Sequence, residues 1–266
     1  MNAIATTAGG HRLGKHAPKP IPIRHRMAAR QLMATLPPAP ATRDWTKAMT
    51  FPAGVMGNDA LSDCTAAAVG HIIQAWSANN GSQITIPDAA IIKFYSDSTG
   101  YVLGDASTDQ GGVEAEVLAC AKMNGCGGYK IDGFAPADSS NLAELRQVVN
   151  TFGGAYIGLA LPRTIETQGE YDGATWDVDL SAGTAAEPGS LGGHAVIVEA
   201  YDADGFTIVT WGVRVYMTNS FMLGYGHPAV GGEAWAMLAN GLWAPKGTTP
   251  AGDAVPAYDG YLAAVA

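Results

Sequence analysis

Apolar residues recur at helical spacing in the first half of this chain, and alternate or run together in the second. Ala68, Ile72 and Trp76, with Val69 and Ile73 beside them, predict a helix from about Cys64 to Asn79 that ends at the Asn80-Gly81 turn. Ser62, Asp63 and Thr65 are residues that can cap its start. Ile84, Thr85 and Ile86 read as a short strand. Pro87 and Asp88 then open a second helix with Ala90, Ile91, Phe94 and Tyr95 on one stripe. A loop to Gly112 leads to a third helix over residues 113–124, and Asn141 with Glu144 starts a fourth that runs to Phe152. The apolar run 155–161 predicts a buried strand, and residues 162–190 a long polar loop. Residues 194–201 and 206–211, joined through Asp204-Gly205, predict a β-hairpin. A strand is expected at 215–217. Helical or turn-like pieces are expected at 221–225 and 233–242, and coil over the last fifteen residues. Helices first and strands second imply an α+β domain in two layers.

The chain's start is different. Residues 1–26 hold Gly9-Gly10, Pro18, Pro20 and Pro22 with little periodicity, and predict an extended or disordered arm. A short helix is expected over 27–36, followed by a stiff proline-rich connector. We therefore divide the sequence into a basic arm and linker, 1–43, and a folded domain, 44–266. The net charge of −9 hides the same division, for the first 43 residues carry +7 with no Asp or Glu and leave −16 for the rest. The acidic body argues against nucleic acid as its ligand. The arm is suited equally to an acidic protein partner and to the domain's own acidic surface. No apolar run is long enough to span a bilayer, and the N-terminus does not read as a secretory signal. Three cysteines make no disulfide framework, which suits a cytoplasmic or virion-associated setting. Cys120 and Cys126 have no second pair of ligands nearby and read as structural thiols, so no metal or other cofactor is expected.

Cys64 falls at the tip of the first helix, where free N–H groups and the helix dipole favour a thiolate. A cysteine nucleophile needs a base. His11, His16 and His25 lie in the arm, and His71 is two helical turns from Cys64, about 10 Å by rise. His227 has no evident partner. His194 follows Gly192-Gly193, which lets the backbone pass close to another element, and it begins the hairpin.

With these residues in place the sequence resembles the papain-like cysteine peptidases. Leu36-Pro37, Asp44-Trp45, Asn58 six positions before Cys64, His194 after a glycine and Trp211-Gly212 on the returning strand follow that family's order. More narrowly, Asn58-Asp59, Asp63-Cys64-Thr65, Gly192 to Val196, Val209 to Gly212, Met217-Thr218 and Glu233-Ala234-Trp235 resemble a bacterial and bacteriophage branch. The resemblance implies a central helix carrying Cys64, packed on a C-terminal antiparallel sheet or barrel carrying His194. It implies thiolate attack on a peptide or amide carbonyl and an acyl-enzyme that water hydrolyses, the substrate being a peptide or protein. Cys64 would be nucleophile, His194 general base and acid, Asn58 the oxyanion donor in place of the family's Gln, and Trp211 the shield of the histidine's contact. The family's orienting Asn is absent; Thr210 stands beside Trp211 as a weaker orienter, with Asn219 and Asp202 as more remote candidates. Asp59 and Asp63 oppose thiolate formation unless both point away. The alternative is a catalytically idle papain-like module serving as a structural or binding component, for example of a bacteriophage virion.

Overall fold

The computed structural model describes residues 5–239 and 241–265. Its centre is helix α2, Cys64–Asn79, in which every residue from Cys64 to Ser77 is buried. A helix covered all round has no polar face to show, which explains a composition dominated by Ala, Ile and Val. One side packs on strands β5 (Gly192–Tyr201) and β3 (Ala155–Leu161), the other on helices α3 (Asp88–Thr99) and α4 (Glu114–Met123). Trp76 anchors its far end, wholly buried, with its indole Nε1 donating to the Phe152 carbonyl at 2.7 Å.

Eight strands form one sheet, in the path β2-β8-β3-β5-β6-β7-β4, where β2 is Gly133–Ala137, β4 Ala174–Trp176, β6 Gly205–Thr210, β7 Val213–Thr218 and β8 Glu233–Leu238. β1, Arg43–Asp44, pairs beside the end of β5. All pairings are antiparallel except β4 with β7. The sheet stays open, so the sheet form of the sequence expectation holds and the barrel form does not. Both faces are covered. On β3 and β5, Ile157, Leu159, Val196 and Val198 point to one core, shared with helix α5 (Leu142–Phe152) and helix α1 (Ile23–Met33). Tyr156, Ala195 and Ile197 point to the other, under α2. Alternate positions thus belong to two cores, which is why these strands read as unbroken apolar runs.

Several elements differ from the sequence expectation. Residues 233–238 are a strand, because their alternate side chains serve the two cores while the backbone pairs with β2 and β3. β2 escaped notice because of Pro136, which its edge position tolerates. Residues 84–86 pair with no strand, and the long loop holds β4 and short helical turns. The C-terminus ends in helix α8, Tyr258–Ala264, which packs on α1. α1 itself starts four residues earlier than expected and buries Ala28, Ala29, Leu32 and Met33. Residues 5–19 double back once, through a turn at residues 8–10 that pairs Thr6 with Arg12, and run extended beyond it; they lie across the domain, Leu13 in its core and Lys15 bridged to Gly112.

Replacing Trp76 by Phe should remove the indole hydrogen bond and leave the Phe152 carbonyl buried and unpaired. Unfolding in urea should report a loss of about 1–3 kcal/mol, with an unchanged m-value.

Candidate active site

Cys64 is 1% exposed and is the first residue of α2. Asp63 occupies the N-cap position but offers its main-chain carbonyl, not its side chain, to Ala66 and Ala67. Its carboxyl is buried, and neither oxygen accepts a side-chain or main-chain hydrogen bond of good geometry. Burial, with Asp109 and Asp59 adding repulsion, pushes its pKa well up, while the nearby Asn58 amide opposes this. The shift disfavours the charged carboxylate, so Asp63 opposes a thiolate less than an ordinary carboxylate would. Asp59 sits on an exposed turn. The loop before α2 is held by Asp109, whose carboxylate accepts from the Ser62 N–H at 3.0 Å, from the Tyr95 hydroxyl at 2.8 Å and from Arg12 at 3.0 Å.

His194 lies in β5 opposite Leu159 of β3, 1% exposed. Its Nε2 is 2.7 Å from Thr210 Oγ1 at the end of β6. With the proton on Nε2 the ring donates to Thr210 and leaves Nδ1 as the basic nitrogen, and Nδ1 has no hydrogen-bond partner. Trp211 stacks on the imidazole, ring centroids 4.7 Å apart, and is held there in a turn with φ of 49°. The structure thus brings together His194, Thr210 and Trp211. It does not bring Asn219, whose side chain accepts from Arg146 and donates to the Ala203 carbonyl, nor Asp202, which accepts from Tyr216 at the hairpin tip. His71 is buried in α2 against Gln74, and His227 accepts from the Ala229 N–H.

The arm packs against Asn58, Gly193 and Trp211. The Arg12 N–H donates to the Asn58 carbonyl, and the Asn58 side-chain amide donates back to the Arg12 carbonyl at 3.0 Å. Asn58 also donates to the Leu61 carbonyl, so its amide is saturated. The N–H groups of Gly14 and Ala195 are directed at the Cys64 sulfur. The next residues pair with both walls. Gly112 N–H donates to the Gly14 carbonyl, His16 N–H to the Gly112 carbonyl, and Lys15 N–H to the Gly193 carbonyl. The approach requires glycine. A Cβ on Gly14 would lie 1.9 Å from the Ser62 carbonyl oxygen, and one on Gly193 2.2 Å from that of Lys15. The close pass expected at Gly192-Gly193 is therefore made against the arm. Further back, His11 pairs with Glu170 at 2.7 Å and stacks on the face of Trp211 at 4.6 Å. Lys19 pairs with Glu116.

Covering has an electrostatic consequence. Burial pushes the Cys64 thiol up to about 12, against the help of the two N–H groups. Burial, with His11 nearby, pushes the His194 imidazole down to about 3. With the arm in place both groups are uncharged at neutral pH. Asp109, Glu170 and the arm residues that face the cleft were not singled out in the sequence. The signals available were the charge division, the Asp109-Gln110-Gly111-Gly112 sequence and the Gly192-Gly193 pair. All three cysteines are free and buried, and among the described residues no group of His, Cys, Asp or Glu is arranged to hold a metal ion.

The fold is that of the papain-like cysteine proteases. Xylellain, a cysteine protease from Xylella fastidiosa, superposes over 90% of this chain and 99% of its own with a TM-score of 0.63 and 15% identity. The Carica candamarcensis cysteine protease CMS1MS2, in complex with E-64, covers 76% of this chain and 99% of its own, with a TM-score of 0.52 and 15% identity. The bromelain protease of Ananas comosus, also with E64, covers 76% and 100%, with a TM-score of 0.52 and 14% identity. These likenesses show the fold and single out no bacterial or phage branch. No family model and no curated protein sequence matches the chain.

With the thiol raised to about 12, alkylation of Cys64 by iodoacetamide should accelerate by about tenfold per pH unit from neutral pH upward, without a plateau near neutrality. Gly14→Val, which the Ser62 carbonyl cannot accommodate, should speed labelling at neutral pH and flatten that profile. Mass mapping of the alkylated cysteine reads both.

Proposed function

We propose that this protein is a cysteine peptidase or amide hydrolase of the papain-like type, held covered by its own N-terminal arm. The observation that carries the reading is His194, oriented by Thr210 through one nitrogen and free at the other, next along β5 to Ala195, whose N–H favours the thiolate of the helix-tip Cys64. Withdrawal of the arm returns three groups to use: the sulfur, the Asn58 amide and the imidazole. Rehydration and the dipole of α2 then favour the thiolate, and His194 takes its proton at Nδ1. Sulfur attacks the substrate carbonyl carbon, and the oxyanion accepts from the Asn58 Nδ2–H and the Cys64 main-chain N–H. The tetrahedral adduct collapses, the C–N bond breaks, and His194 gives its proton to the departing amine. Water, deprotonated by His194, then attacks the thioester and releases the acid and the free thiol. Trp211 keeps water from the Thr210 contact throughout.

A second reading, an idle module, draws on the same covered state, in which a neutral thiol and a neutral imidazole make no ion pair. The two separate cleanly in the Gly14→Val background. The peptidase reading expects an epoxide of the E-64 type to label Cys64 faster than a free thiol, and fluorogenic peptide amides to be hydrolysed. Cys64→Ala should abolish both and His194→Ala should cost at least about 100-fold, the lower end of general acid–base contributions. Thr210→Val should lower kcat by about tenfold, the worth of one orienting hydrogen bond, and leave KM nearly unchanged. Labelling no faster than a free thiol, and indifferent to His194, would establish the idle module instead.

A further inference from the structure

Lys15 is withdrawn from water more completely than the other paired cations of the arm, its side chain 2% exposed against 36% for Arg12 and 59% for Lys19. Its ammonium donates to the carbonyls of His16 and Gly231, both at 3.0 Å, and lies 3.2 Å from Glu233 Oε1. The other Glu233 oxygen accepts from the Trp235 indole, which fixes the carboxylate. Below lies Glu114, the first residue of α4, wholly buried and without a hydrogen-bond partner at either oxygen. The lysine stem reaches this floor because β3 carries glycine at position 158. A Cβ there would lie 1.9 Å from Lys15 Cε and 2.7 Å from Glu114 Oε1. The result is a shaft sized for an aliphatic stem, with Glu233 beside the ammonium and the wholly buried carboxyl of Glu114 close to the stem.

Main-chain pairing with Gly112 and Gly193 is open to any extended peptide, so it contributes affinity without sequence choice. Choice rests on the side chain that enters the shaft. A buried carboxylate left without its cation is costly, and an apolar side chain would leave Glu233 in that state. Glu114 responds in the same sense: burial and Glu233 raise its pKa, and the Lys15 ammonium opposes the rise.

We propose that the shaft formed by Gly158, Glu114 and Glu233 is a specificity pocket for the lysine side chain of a peptide lying in the cleft, and that Lys15 is its built-in competitor. The substrate class this assigns, lysine-containing peptides, rests on the peptidase reading; the binding preference does not.

The test uses the full chain carrying Lys15→Glu, and in parallel Lys15→Met, which keeps an apolar stem. Both should expose Cys64 and raise its iodoacetamide labelling at least about tenfold, as the loss of a buried ion pair implies. A synthetic peptide with the sequence of residues 12–16, blocked at both ends, should restore protection. The same peptide with norleucine or glutamate in place of lysine should need at least about tenfold more peptide. Adding Glu233→Gln should erase the difference between lysine and norleucine peptides. Unchanged labelling in both Lys15 variants, or equal protection by the norleucine peptide, would overturn the pocket. Lysine-selective protection without hydrolysis of any peptide would uphold the pocket and contradict the peptidase reading alone.

Discussion

The arrangement depends on one constraint: an extended segment must pass between two glycine-bearing walls while a charged side chain is taken out of water. Main-chain bonds to Gly112 and Gly193 hold residues 14–16 like a strand, and Lys15 fixes their register, because a shift by one residue would strand its ammonium. Around this point other polar side chains of the arm meet carboxylates of the body. Arg12 meets Asp109, His11 meets Glu170 and Lys19 meets Glu116. Asp109 does double duty, since the carboxylate that receives Arg12 also holds the Ser62 N–H that sets the turn into α2. The geometry of the Cys64 loop and the seating of the arm are therefore coupled through one buried group.

The same seating decides what the cleft chemistry can do. A thiol at a helix N-terminus that has an imidazole as its base is expected to ionise in water. Under the arm it does not, because desolvation acts on both groups in the direction that removes charge, raising the thiol and lowering the imidazole. The carboxyls nearest the thiol, Asp63 and Glu114, are also raised by burial. The covered state thus keeps the thiol and the imidazole uncharged. Rehydration of the cleft would relax the desolvation that shifts the thiol and the imidazole.

Much of this was legible in the residues. The helix from Cys64, the α5 start at Asn141, the apolar run of β3 and the Asp-Gly hairpin follow from local rules, and each is where the pattern put it. Gly192-Gly193 pointed to a close backbone pass. The failures have a common cause. Residues 233–238 carry Ala, Met and Leu, which suit a helix, yet pairing with β2 and β3 outweighs that preference. Helix α8 and the early start of α1 arise from packing on each other across the whole sequence, which no local window contains. The charge division between residues 1–43 and the remainder left the arm suited equally to the domain's own acidic surface and to an acidic partner. Which cation enters the cleft depends on Gly158 and Glu233, residues more than 140 positions from Lys15 in the sequence.

The central claim is that the arm lies directly over the Cys64 sulfur, and amide hydrogen exchange tests it most directly. Uptake is followed over residues 11–19 in the intact protein, before and after Cys64 is fully alkylated. The account predicts slow exchange at Arg12, Lys15 and His16, whose N–H groups are bonded to the body. It predicts a loss of that protection once a carboxamidomethyl group stands on the sulfur. Exchange at coil rates in the unmodified chain, or protection that survives alkylation intact, would contradict it.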